Sequence, residues 1–278
     1  MINPWRRRSL LAICMLFVFV SLTAITSARH SWRKYHWARQ ANPFTLKLGD
    51  NVSSNWDSAL ALTSADWSLS SVLNTTIVAG STNGTNCVPT LGRVEVCNAA
   101  YGSTGWLGIA SIWTSGFHIT QGTAKLNDTY FNTAQYNTSA WRNFVMCQEV
   151  GHTFGLDHQD ERFTNLNLGS CQDYTNDPSG TAGTNGTLNN EHPNQHDYEQ
   201  LESIYAHLDS STTVGQRTSA MPPAMADINL DGPRQWGKVI HTAPNGRSAI
   251  YELDFGGGNK VFTFVLWADD EHRGHGIH

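Results

Sequence analysis

The sequence predicts an α+β fold: helix, strands, helix, long loop and helix, followed by a short group of further strands. Three observations predict it. Apolar residues recur at helical spacing in three segments. Four runs rich in β-branched residues, bounded by Gly and Asn, lie between the first and second of those segments. Hydrophobic residues make up 40% of the 278 and charged residues 15%, enough apolar surface for one substantial domain plus an appendage.

The N-terminus reads as an export signal over residues 1–28. Arg6, Arg7 and Arg8 precede the apolar run LLAICMLFVFVSLTAI, and the small residues Thr26, Ser27 and Ala28 suit cleavage after Ala28. That run is shorter than the roughly 20 residues of a spanning helix, so an uncleaved anchor is the lesser alternative. RHSWRKYHWARQ then leads into a first strand. In SSNWDSALALTSADW, Trp56, Ala59, Leu60 and Thr63 fall on one helical face, with Ser53 or Ser54 as N-cap. TTIVAG, GRVEVCNAA, GWLGIASIW and HITQGTAKLND read as strands separated by turns.

A second helix is predicted from about Thr138 to Phe154, capped from NTSAW, with Trp141, Val145, Gln148 and His152 on a single face. Residues 163–190 show no periodicity and read as one long loop. A third helix begins near Pro193, where Asn194 caps and Asp197 completes a capping box; its stripe is Tyr198, Leu201, Tyr205 and Leu208. These elements form a domain over residues 29–210. STTVGQRTSAMPPAMAD, residues 211–227, is a linker, and residues 228–278 hold a small three-stranded antiparallel meander (GKVIHTA, SAIYELDF, VFTFVLWA) and a flexible tail.

A net charge of −5 gives no cationic surface for nucleic acid. Once Cys14 leaves with the signal, Cys87, Cys97, Cys147 and Cys171 remain. Four cysteines allow three pairings; Cys87–Cys97 and Cys147–Cys171 are favoured, and buried free thiols are the alternative. Sequons begin at Asn51, Asn74, Asn83, Asn127, Asn137 and Asn185, their use depending on the host. The expected partner is a protein or peptide substrate, with no membrane after signal removal and a monomeric chain.

The chemistry concentrates in CQEVGHTFGLDHQDE, residues 147–161. Positions four apart on a helix lie about 6 Å from each other on one face, a separation that suits two ligands of one ion. Gln148 and His152 have this spacing. Gly155 can end the helix with a positive φ and turn the chain so that His158 returns toward the same ion. Glu149 is placed to take a proton from a metal-bound water.

This E-x-x-H-x-x-G-x-x-H pattern resembles the core of the extended zinc motif of the metzincin metalloproteases, with the matrixin branch nearest. The resemblance covers roughly residues 30–208. It implies a twisted, mostly parallel sheet with three helices, and zinc held by Gln148, His152 and His158. SCQDYT, Ser170–Thr175, stands where metzincins carry a Met-turn, with Gln172 in the methionine position. Tyr174 matches a tyrosine that in some branches contacts zinc. GWLGIASIW would then be the edge strand that pairs with an extended substrate. The implied activity is peptide-bond hydrolysis, with Glu149 as general base and Tyr174 hydrogen-bonding the oxyanion.

Two residues depart from the pattern. Gln148 replaces a histidine and offers zinc only a carboxamide oxygen, a poorer ligand than imidazole. Gln172 replaces the supporting methionine. The rival reading is an exported, inactive pseudopeptidase that binds peptides or a surface partner; a third makes the C-terminal meander the working part of a cell-envelope protein. At residue level, Tyr174 has a second reading as a packing or hydrogen-bonding tyrosine. Asp157, Asp160 and Glu161 read as a solvated acidic turn, a substitute ligand among them being the alternative. His192 and His196 read as a helix start rather than a metal pair. Asp227, Asn229 and Asp231 imitate a calcium loop that lacks its closing acid.

Overall fold

The computed structural model describes residues 29–217, 222–226, 228, 230 and 232–269. The export segment, the calcium-like Asp227, Asn229 and Asp231, and the histidines of the tail lie outside the described residues.

The alternating runs all become strands of one nine-stranded sheet. They are β1 (His36–Trp37), β2 (Phe44–Asn51), β3 (Leu73–Ala79), β4 (Val94–Ala99), β5 (Trp106–Ser115), β6 (His118–Asn127), β7 (Lys238–Thr242), β8 (Ser248–Asp254) and β9 (Asn259–Trp267). The order is β3-β2-β4-β6-β5-β9-β8-β7, with β1 pairing on β6. Neighbours among β1, β2, β3, β4 and β6 run parallel, whereas β5, β9, β8 and β7 add antiparallel strands.

The C-terminal meander is therefore present, and it continues the main sheet. β9 pairs with β5 from Trp106↔Trp267 to Ser115↔Asn259. This corrects the expectation that GWLGIASIW is an exposed edge: its free side is already filled by the chain itself. The reason is legible in VFTFVLW, a continuous apolar run of the kind a strand needs when both faces are buried. Phe262, Phe264 and Leu266 join the core beneath the helices, while Val261, Val265 and Trp267 face a second cluster with Trp106, Ile109, Trp113, Met225 and Trp236.

The helices are α1 (Asp57–Trp67), the short α2 (Asp128–Phe131), α3 (Ser139–His152) and α4 (Gln195–Ile204). Thr138 caps α3 by accepting from the Trp141 amide at 3.2 Å, and Asn194 and Asp197 form the predicted capping box of α4. The predicted serine cap of α1 is absent. Trp56 holds that position without a side-chain cap, and its indole donates to Asp128 Oδ1 at 2.8 Å. Both disulfides match the favoured pairing, Cys87–Cys97 and Cys147–Cys171, and two disulfides fit an extracellular protein. Among the described residues, no helix is long and apolar enough to cross a membrane.

Residues 163–190 form no helix or strand, yet the loop is tied down by side-chain amides. Asn167 Nδ2 donates to the carbonyls of Asp177 and Leu188, Asn185 Nδ2 to those of Phe163 and Asn165, and Asn190 Nδ2 to that of Asp173. These bonds satisfy main-chain acceptors that a sheet or helix would otherwise satisfy.

Candidate metal centre

The site is assembled where α3, the turn after it and residues 170–175 meet over β5 and β9. α3 ends at His152, two residues short of the predicted end. Gly155 then adopts φ +95°, and a Cβ there would stand 2.3 Å from the Tyr35 carbonyl oxygen. Only glycine serves this turn. The N-terminal arm clamps the segment beyond it: Trp32 N donates to Gly155 O at 2.8 Å and Asp157 N to His30 O at 2.7 Å.

The turn brings His158 back against His152. Their rings are perpendicular, at 89°, with centroids 4.6 Å apart. Both rings are oriented through Nδ1. His152 Nδ1 donates to the Leu156 carbonyl at 3.0 Å, and His158 Nδ1 faces Glu161 Oε1 at 3.3 Å. The carbonyl fixes the His152 proton on Nδ1 and leaves Nε2 for a ligand, an arrangement typical of metal-binding histidines. Burial, and then the neighbouring His158, hold the His152 pKa well below the usual imidazole range, so its ring is neutral, the form a metal requires. Tyr174 O–H lies 2.6 Å from His158 Nε2 and occupies that lone pair. Burial keeps this phenol protonated, its pKa well above the ordinary tyrosine value.

Gln148 is fully buried. Its Nε2 donates to the Cys171 carbonyl at 3.0 Å, while its Oε1 has no partner. A buried acceptor without a donor is costly. Among the described residues no third histidine, cysteine or carboxylate closes on the His152–His158 pair; Gln148, the other member of the predicted set, lies one turn before His152 on α3. Two imidazoles and one carboxamide oxygen are a donor set of the kind zinc takes, weaker than three imidazoles, and it requires Tyr174 to release His158 Nε2.

Residues 170–175 pack against α3. Gln172 Nε2 donates to the Gln148 carbonyl at 3.2 Å, and a Cβ on Gly151 would stand 2.1 Å from that same nitrogen. The Cys147–Cys171 bridge fastens the turn to the helix. Glu149 lies on the sheet side of α3. A Cβ on Gly108 of β5 would fall 2.6 Å from its Oε1, so glycine there makes room for the carboxyl. Neither Glu149 oxygen makes a well-formed hydrogen bond. Burial pushes its pKa well above the usual carboxylate range, opposed in part by the Ala110 main chain.

One residue in the site carried no signal in the motif. Phe264 of β9 stacks on His152 with centroids 4.5 Å apart and planes 10° from parallel. It sits opposite Ala110 of β5 in the ladder. The lane along β5 that an extended peptide would need is thus filled by β9, with an aromatic ring over the first imidazole. On the other side, a pocket of about 450 Å³ is lined by Asp157, His158, Asp160, Glu161 and His241. There Glu161 accepts from His241 Nε2 at 2.7 Å, so the acidic turn pairs with two histidines rather than standing free in solvent.

His192 and His196 do not converge. His192 Nδ1 meets Asp66 Oδ2 at 2.7 Å, and His196 Nδ1 meets Gln159 Nε2 at 2.9 Å. Comparison with models of known protein families and with curated proteins finds no match to this chain.

Proposed function

We propose that the chain is an exported, metzincin-like zinc endopeptidase whose site is held shut in this conformation by its own strand β9. The observation that carries the reading is the perpendicular His152–His158 pair, each ring facing an acceptor at Nδ1, with Gln148, whose oxygen is unpartnered, one helical turn before His152. The mostly parallel sheet from β1 to β6, the helix–glycine-turn–histidine path and the 170–175 turn beneath α3 support it further.

His152, His158 and Gln148 would hold the ion, which when bound supplies Lewis acidity toward a carbonyl and a water. Glu149 moves the proton: its carboxylate accepts from the attacking water and returns the proton to the leaving amine. Burial raises the Glu149 pKa, so the carboxyl must ionise before it can accept. Tyr174, protonated by burial, releases His158 and donates to the developing oxyanion.

One observation favours the second reading, the inactive binding protein. The Gln148 amide is committed to the Cys171 carbonyl and Phe264 covers His152, an arrangement that needs no metal. Zinc content and casein cleavage of wild type, Glu149→Ala and Phe264→Ala separate the two. An enzyme gives zinc in all three proteins, no cleavage in Glu149→Ala and faster cleavage in Phe264→Ala. Equal cleavage in wild type and Glu149→Ala removes the catalytic assignment.

A further inference from the structure

A second constellation lies away from α3, where the N-terminal arm crosses the exit of α4. His36 Nε2 is 3.4 Å from Asp209 Oδ1, His207 Nε2 is 3.6 Å from the same oxygen, and the two imidazole nitrogens are 3.1 Å apart. Ligand atoms about 2.0–2.1 Å from a tetrahedral zinc stand about 3.3 Å from one another. The three measured edges therefore describe one face of such a tetrahedron.

The surroundings orient these atoms as ligands. His36 Nδ1 is 2.7 Å from the Lys34 carbonyl. That oxygen can only accept, so Nδ1 carries a proton, and Nε2 is turned toward Asp209 Oδ1 and His207 Nε2. Asp209 Oδ2 is fixed by the Arg39 main-chain amide at 3.1 Å and by Arg39 Nη1 at 3.0 Å, leaving Oδ1 to face the imidazoles. His118 Nε2 approaches the same Oδ1 at 3.3 Å. Imidazole nitrogens and a carboxylate oxygen in this geometry can share one cation.

We propose that His36, His207 and Asp209, with His118 beside them, bind a divalent transition-metal ion, zinc being the ion that two imidazoles and a carboxylate suit best. The site is independent of the one on α3. It opens on a pocket of about 490 Å³ also lined by Arg29, Arg33 and Lys34, so an anion completing the coordination meets favourable charge. A bound ion would pin the start of the sheet to the chain leaving α4.

The test is zinc stoichiometry by elemental analysis after dialysis of the purified protein against zinc chloride. His207→Gln alters a side chain that is 53% exposed, so folding is preserved. The expected result is one zinc per chain fewer in His207→Gln than in wild type, with the same loss in Asp209→Asn. In a His152→Gln, His158→Gln background one zinc remains, and adding His207→Gln removes it. That background fails separately if the α3 site holds no zinc, so the two assignments stand or fall apart. Equal zinc in wild type and His207→Gln, or no zinc-induced rise in melting temperature that His207→Gln abolishes, overturns the proposal and leaves a histidine–aspartate ion-pair network.

Discussion

Gln148 divides its two ends between structure and chemistry: the amide nitrogen holds the Cys171 carbonyl and the oxygen is left bare. Gln148→His replaces a weak oxygen donor by an imidazole and is expected to tighten zinc binding roughly tenfold or more, read as a lower dissociation constant in calorimetry. Asp173 shows how the same buried turn responds to pH. Burial pushes its carboxyl up to about 7, against hydrogen bonds from the Leu168 amide and Asn190. The folded chain keeps a proton there that the unfolded chain releases near pH 4. The associated stability is thus fully present below the unfolded pKa and is lost as pH rises through about 7. The shift is worth on the order of 4 kcal/mol. Asp173→Asn should flatten the fall in melting temperature between pH 4 and pH 7, and an unchanged slope would place the cause elsewhere.

The elements rest on α3 and what is bolted to it. The Cys147–Cys171 bridge closes 24 residues of chain, a constraint on the unfolded state worth about 3 kcal/mol. Replacing both cysteines by serine should lower stability by about that amount in urea unfolding and loosen the turn that carries Tyr174. Phe264→Ala should cost about 3–5 kcal/mol by opening a cavity against His152, measured in the same way. Both helix caps and the glycine turn were legible in the sequence because each depends on a few adjacent residues: Thr138, the Asn194–Asp197 box and Gly155. The α1 cap was misread because Trp56 is anchored by Asp128, a partner far along the chain. His152 and His158 could be placed together from their spacing. Phe264 could not, because strand pairing between residues 110 and 264 leaves no local mark.

In the molecule as a whole, the C-terminal strands belong to the same sheet and core as residues 29–210. Phe262, Phe264 and Leu266 share the main cluster with α3 residues, and Trp106 and Trp113 of β5 are covered by Met225 and Trp236. A chain truncated after residue 217 would expose the Trp106, Ile109 and Trp113 face and the hydrogen-bonding edge of β5. Such an edge associates with other chains, and the fragment should aggregate rather than refold, as light scattering would show. The mixed helix-and-strand class was readable from periodicity. That the meander continues the first sheet was not, since alternation identifies a strand without naming its neighbour. The His36–His207–Asp209 cluster was hidden for the same reason: its members are close only after β1 and the exit of α4 meet.

The amide stitching of the 163–190 loop has a consequence for how the chain must be made. Asn185 is 2% exposed, and its Nδ2 already serves two carbonyls. That nitrogen is also the atom to which an oligosaccharide would be joined. Sugar attachment there and closure of the loop exclude each other, so in a host whose secretory route decorates asparagines, secreted molecules would carry a bare Asn185 while those modified there would be retained as misfolded.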